Sequence, residues 1–293
     1  MTGPTGVGKS SFAVAIAGRI GGEILGADAF QIYAGLPVLT AQPDPSQRAA
    51  VPHHLVGFLD LRENFDAARF VRAAKEAIAD IQSRGKTPIL VGGTGLYLKA
   101  LTHGLAEMPP VDHALRERIS KLNLPEAIDE LRVADPAAPV QIDLCNPVRV
   151  RRALEIVLQT GRPLAESRGQ WSRATHEFRG LVLIRERDEL RTRIQANVSQ
   201  MLAGGAVEEV RSAVHAGPGA RRAIGFREIE NLLAGRISES ECREAIATAT
   251  WKYAKRQLTW CRTQFDFPSL DLSAFSLLDD AVEKAVVLLA EQA

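Results

Sequence analysis

What this 293-residue chain has little of narrows its class before any motif is read. Cysteine is scarce: Cys145, Cys242 and Cys261 are odd in number and far apart, so there is neither a disulfide framework nor a zinc spacing, and a reducing compartment is implied. Net charge is nearly absent too. With 36 Lys and Arg against 35 Asp and Glu, nothing attracts a polyanion globally, and any nucleic-acid surface must be a local patch. No apolar run approaches the roughly 20 residues of a membrane span. The first residues are glycine-rich, where a secretory signal needs a basic and then apolar start. Internal repeats and low-complexity segments are missing. The expectation is a cytoplasmic protein with no membrane partner, ordinary in composition at 46% hydrophobic and 24% charged residues, and long enough for one large domain or two smaller ones.

What is present begins at once. Gly3-Pro4-Thr5-Gly6-Val7-Gly8-Lys9-Ser10 fits G-x-x-x-x-G-K-[ST] and runs directly into the amphipathic stretch "KSSFAVAIAGRIG". In such a loop glycines let backbone N–H groups converge on an anion, the helix start adds favourable potential, the lysine bridges two phosphates and the serine ligates magnesium. That predicts diphosphate or triphosphate binding and nothing narrower. A motor or signalling NTPase carries an aspartate at the end of a second buried strand, but "TPILVGGT" ends in Gly92-Gly93-Thr94 without an acid. The carboxylate that does stand at a strand end is Asp28, in "GADAFQIY". It is a base, a metal holder or simply a turn cap.

Organisation follows from periodicity. Helix, strand ("EILGAD"), helix ("FDAARFVRAAKEAIADIQSRG"), strand ("TPILV") and helix in succession predict a parallel sheet flanked by helices, with ligands beyond the strand ends where Asp28 and Thr94 fall. From "MPPVDHALRERIS" to about residue 170 the pattern is helical only. "RGLVLIRE" reads as a return strand, followed by helices near 188–203, 205–215, 221–234, 238–265 and 278–291. The predicted fold is therefore an α/β phosphate-loop core over 1–105 and 179–293, interrupted by an all-helical insertion over 106–178, with a helical C-terminal region.

Basic residues cluster locally. Between Val148 and Arg193 there are 11 Arg and Lys against 6 Asp and Glu; Arg221, Arg222 and Arg227, then Lys252, Lys255 and Arg256, form two further groups. Clusters of this kind beside a phosphate-binding fold predict a surface that tracks a nucleic-acid backbone. Trp251, Tyr253 and Trp260 are expected in the core, and His53-His54 in a structural role.

In order along the chain, "GPTGVGKS", "ADAFQIYAGLPVLTAQP", "PHHLVGFLD", "FDAARF", "GKTPILVGGTGLYLKAL", "NPVRVRRALE", "RRAIGFREI" and "YAKRQLTW" resemble the motifs of the tRNA dimethylallyltransferase (tRNA isopentenyltransferase) family over nearly the whole length. The resemblance implies transfer of a five-carbon dimethylallyl group from its diphosphate to N6 of adenosine 37, beside the anticodon, in tRNAs reading codons that begin with U. It assigns the allylic diphosphate to the loop Gly3 to Ser10, despite the ATP label such a loop attracts, with Mg2+ as cofactor at Ser10. Asp28 becomes the catalytic base and Thr94 a residue near the reacting adenine. It further implies tRNA contacts at Asp28, Ala29, Phe30, Gln31, Thr94, Arg116, Val148, Arg149, Val150, Arg151, Arg152, Arg222, Ala223, Ile224, Gly225, Phe226 and Arg227, with the anticodon loop as partner and a monomeric enzyme. The chain departs from the family pattern at Ala29, Ala34, Gln42 and Asn197, the last where the family carries an arginine for the diphosphate. An adenylate isopentenyltransferase, a phosphate-loop small-molecule kinase and a non-catalytic tRNA-binding homologue are the rival readings.

Only two residues precede the loop, whereas the family has a strand there. Its loss removes a sum of hydrogen bonds and buried side chains comparable to the roughly 5–15 kcal/mol stability of a whole domain, so the native chain is expected to begin upstream of Met1.

Overall fold

The computed structural model describes residues 1–105, 112–167 and 178–292. The chain divides into two compact units, Met1–Thr102 with Glu177–Ala293, and His103–His176. In the first unit, helix α1 (Lys9–Ile20) lies between Gly8 and Gly21, both left-handed, and buries Phe12, Ala13, Ile16 and Ala17 along one stripe. Strand β1 (Gly22–Gly26) is buried throughout. Helix α2 (Pro45–Ala50), opened by an Asp44–Gln47 capping box, leads to β2 (His53–His54). Asp66 caps α3 (Ala67–Ser83), which turns Phe70, Ala74 and Ile81 inward; β3 (Thr87–Val91), the Gly92-Gly93 turn and α4 (Gly95–His103) follow.

The second unit holds α5 (His113–Lys121), α6 (Leu124–Ala134), α7 (Pro147–Thr160) and α8 (Leu164–Ser167), packed around Leu131, Val150, Leu154 and Leu164. Asn123 and Asn146 cap α6 and α7, each with a proline in the first turn. Among the described residues this unit contains no strand.

The chain then returns to the first unit through β4 (Val182–Ile184), α9 (Arg187–Ala203), α10 (Ala206–Ser212), α11 (Phe226–Leu233), α12 (Glu239–Gln264), β5 (Ser269–Asp271) and α13 (Leu278–Ala290). Every strand pair is parallel, in the orders β2-β1-β3 and β4-β5, with Ile24 opposite His53 and Ile89, and Leu183 opposite Leu270. Met1 and Thr2 supply the ladder between the two sheets. The Met1 nitrogen donates to Leu90 O at 2.7 Å, Thr2 N donates to Leu181 O at 2.9 Å, and Leu183 N donates to Thr2 O at 2.8 Å. Thr2 thereby bridges Gly92 and Val182.

Two expectations change. The helix read over 221–234 is broken: a 3-10 turn at Ala220–Arg222 precedes Gly225 at φ 97°, a left-handed geometry that ends a helix run, and only then does α11 start. The short elements α2, β2 and β5 escape a periodicity reading because they span too few residues to show one. Val7, Phe12, Ile16, Leu183, Leu190 and Ile194 share one core cluster, which seats the glycine-rich loop on α1, β4 and α9. Each such side chain contributes about 1.5–3 kcal/mol by burial. Among the described residues no helix is long and apolar enough to cross a membrane.

Candidate functional site

The loop is built for close approach. Gly3, Gly6 and Gly8 take φ of 153°, 87° and 104°; a β-carbon on Gly3 would strike Leu183 O, and one on Gly6 would stand 2.9 Å from Ile194 Cγ1. Val7 turns its side chain fully into the core, and its carbonyl accepts from Arg185 Nε at 2.9 Å. Arg193 Nε donates to Gly6 O at 3.0 Å. Arg185 also pairs with Glu189, whereas burial and the neighbouring Arg185 charge pull the Arg193 pKa below its ordinary value. Lys9 folds back over the loop, its Nζ donating to Gly3 O at 3.1 Å and Pro4 O at 3.0 Å. Desolvation lowers its pKa from 10.5 to about 8, against the opposing pull of Asp28 and Cys261. Three cations thus converge on the loop, and among the described residues Lys9 and Arg193 have no ion-pair partner while Arg185 has Glu189, an arrangement that favours a multiply charged anion. Pro4 is buried behind Lys9, and Ser10 is half-buried at the second position of α1.

A single buried glutamine locks the loop to the turn after β3. Gln257 Oε1 accepts from Thr5 N at 2.7 Å and from Thr5 Oγ1 at 3.1 Å, while Gln257 Nε2 donates to Gly93 O at 3.0 Å. The turn admits no side chain, since a β-carbon on Gly92 would overlap Ala27 O and one on Gly93 would overlap Gln257. Thr94 then accepts from Ala29 N at 2.9 Å through its hydroxyl, tying the "ADAFQ" segment to the same turn.

Asp28 uses one oxygen as a cap, Oδ1 accepting from Phe30 N at 2.9 Å and, less well, from Gln31 N at 3.4 Å. It also lines a cavity of about 390 Å³ together with Thr5 of the loop. Phe30, Val38, Leu39, Thr40 and Ala41 form one wall; Ile194, Asn197, Val198, Gln200 and Met201 of α9 form another; Ala223, Ile224, Ile246, Thr250 and Tyr253 complete it. Tyr253, expected in the core, instead faces this cavity, and burial followed by the Asp28 charge raises its pKa to about 12.

The remaining sequence candidates divide sharply. Gln31 reaches across to Ala41 O at 2.7 Å and Thr40 O at 3.2 Å, shaping the cavity wall. Arg222 is exposed, Gly225 is the left-handed turn residue, and Arg227 borders a separate groove with Arg211, Arg221 and Arg236. Phe226, at 1% exposure, packs in the core. In the second unit Val150 is likewise a core residue at 0% exposure. Arg116 and Arg152 share the buried Glu155, at 2.7 and 2.9 Å, and Arg151 donates to Leu122 O at 2.8 Å. Val148 and Arg149 are exposed there. Residues 106–111 and 168–177 of the expected insertion lie outside the described residues.

Four residues of the site, Arg185, Arg193, Gln257 and Tyr253, were not assigned to it from the sequence. Two had a readable signal: Gln257 is a polar residue on the Ala254–Cys261 buried stripe of α12, and Arg193 stands one turn before Asn197 on α9.

Taken together, the loop, the parallel sheet and the cavity define an α/β protein whose glycine-rich loop, approached by Lys9, Arg185 and Arg193, adjoins a largely apolar chamber. A model of the IPP transferase family matches residues 31–264. The chain is 44% identical over 264 residues to tRNA dimethylallyltransferase 1 of Citrifermentans bemidjiense, covering 88% of this chain and 86% of that one, and 43% identical over 270 residues to the tRNA dimethylallyltransferase of Geobacter sulfurreducens, covering 89% and 87%. Among solved structures, a tRNA isopentenylpyrophosphate transferase from Bacillus halodurans superposes with a TM-score of 0.73 at 30% identity, over 99% of this chain and 96% of that one. A eukaryotic dimethylallyltransferase captured acting on tRNA superposes at 0.82 and 27% identity, over 98% and 76%. The chain belongs to the IPP transferase family.

Proposed function

We propose that the protein transfers the dimethylallyl group of dimethylallyl diphosphate to N6 of an adenosine in the anticodon loop of tRNA, adenosine 37 of tRNAs reading codons that begin with U. The observation that carries this reading is the cavity shared by Thr5 and Asp28: an anion grip and a carboxylate open onto one chamber whose other walls are mostly apolar. A diphosphate head suits Lys9, Arg193 and the loop amides, and a five-carbon tail suits Val38, Leu39, Val198, Met201 and Ile246.

As the allylic C–O bond breaks, negative charge builds on the diphosphate, where Lys9 and the arginines stabilise it. The N6 nitrogen attacks the freed carbon, and its proton passes to the second oxygen of Asp28, which the Phe30 amide cap holds in place. The donor set also fits magnesium, because the Ser10 hydroxyl and diphosphate oxygens are hard oxygen ligands. When bound there, the ion adds further charge neutralisation to the leaving group. An adenine stacked in an RNA loop cannot reach this chamber, so the base must be flipped out. In the first unit the exposed Arg222 suits a flanking phosphate, and in the second the exposed Arg149 suits an RNA backbone. A cytoplasmic, monomeric enzyme accompanies this reading.

The test is incubation of purified protein with labelled dimethylallyl diphosphate and either unmodified tRNA or AMP, followed by digestion and detection of modified adenosine. Label in tRNA is expected. Label in AMP alone sinks the choice of acceptor, and label in neither sinks the activity.

A further inference from the structure

The wall formed by residues 38–41 is a single strained turn. Thr40 N donates to Leu36 O at 3.1 Å, Gln42 N donates to Pro37 O at 2.9 Å, and Ala41 sits at φ 50°, a left-handed conformation rare for a residue with a β-carbon. Like any helical start, the turn leaves its first amides without a local acceptor. Glu209 supplies one from another element. Its Oε1 accepts from Val38 N at 2.7 Å and its Oε2 from Leu39 N at 2.8 Å. Glu209 comes from α10, which joins α9 through Gly204 and Gly205; Gly205 has φ 106°, and a β-carbon on Gly204 would lie 3.4 Å from Val38 Cγ1. The same carboxylate therefore ties the turn to the segment that continues from Asn197, Val198 and Met201, the residues of the facing wall.

We propose that Glu209 is a positioning residue for the donor, holding the 38–41 turn against α9 and so setting the width of the chamber that receives the allylic tail. This rests on the assignment of that chamber to the tail. Glu209 touches neither the phosphate loop nor Asp28 through any of its hydrogen bonds. Its effect is accordingly on the tail and not on the anion. Burial pushes its carboxyl above the usual range while the two amides pull it back, consistent with a group kept for its geometry.

The experiment compares Glu209→Gln and Glu209→Asp with the parent protein in steady-state kinetics. Gln keeps one acceptor oxygen but turns an NH2 toward the second backbone N–H, so a charge-assisted pair is lost. The KM for dimethylallyl diphosphate should rise about tenfold or more, with the inhibition constant of inorganic diphosphate and the KM for tRNA each changed by less than about twofold. Glu209→Asp, which retains both oxygens, should recover part of the loss and keeps the test open if the Gln variant folds poorly. Parallel changes in donor KM and diphosphate inhibition overturn the proposal, as does an unchanged donor KM in both folded variants. A rise confined to the tRNA KM overturns instead the placing of the tail in this chamber.

Discussion

Replacing Gln257 with leucine removes the buried side chain through which the phosphate loop is hydrogen-bonded to the turn after β3. At 3% exposure the side chain is shielded from bulk solvent, and leucine fills a similar volume while offering neither donor nor acceptor. Thr5 N–H and Gly93 C=O lose their partner together. At about 1–3 kcal/mol for each unpaired buried group, the expected loss is about 2–6 kcal/mol. At about 2–4 °C per kcal/mol for a protein of this size, the melting temperature falls by roughly 4–24 °C. The functional consequence is separate from the stability one: with Thr5 unrestrained, the loop amides no longer hold their anion geometry, and the donor KM rises. Gln257→Glu separates the two effects. Its carboxylate still accepts from Thr5 but cannot donate to Gly93 O, and it places negative charge beside the diphosphate. Differential scanning calorimetry should therefore show similar destabilisation in both variants, while inhibition by inorganic diphosphate weakens far more in Gln257→Glu. A Gln257→Leu protein with the parent melting temperature and donor KM would refute the reasoning.

Arg193→Ala removes a guanidinium with no carboxylate partner among the described residues, and losing about 1.5–3 kcal/mol of charge-assisted contact raises the donor KM roughly 10–150-fold. Arg185→Ala should have the smaller effect in the same assay, because Arg185 is already paired with Glu189. Asp28→Asn keeps the amide cap and removes the base, so kcat should fall about 10²–10⁴-fold with tRNA affinity and melting temperature unchanged; parent-like turnover removes Asp28 from that role. Lys9 is charged below about pH 8 and neutral above it in the free protein, so donor affinity should decline as pH rises through that value, by up to about tenfold per unit, in titrations between pH 6.5 and 9.5. Stability moves the other way. The unfolded lysine, with its ordinary value of 10.5, binds more protons than the folded one between about pH 8 and 10.5, so Lys9 makes unfolding harder as pH rises through that window, as chemical denaturation at several pH values can measure.

Much of the fold was legible because its signals are local. Gly8 and Gly21 mark the ends of α1, Asp66 opens α3, and the run "TPILV" is long and apolar enough to read as a buried strand. The break at Gly225 was not legible, since an isolated glycine within an apolar pattern is compatible with a continuous helix until packing selects the left-handed state. Tyr253 was placed in the core for a related reason: helical spacing shows that a residue lies on a buried face, but not whether that face meets packed side chains or a chamber. Val150 and Phe226 show the converse. Motif position put them among RNA contacts, whereas burial at 0% and 1% makes their side chains packing residues, next in the chain to the exposed Arg149 and Arg227.

By itself the sequence determined the glycine-rich loop, because three glycines, a lysine and a serine within eight residues set their own backbone geometry and helix start. It also placed Asp28 and Thr94 just beyond strand ends, through short apolar runs bounded by glycine and proline that read as strands. The tertiary structure alone decided what surrounds that loop. Arg185, Arg193 and Gln257 reach it from 178, 187 and 252 residues away, across contacts that no local pattern encodes. The chamber beside Asp28 is likewise a gap between the 38–41 turn, α9 and α12, and such a volume exists only once separate elements have packed.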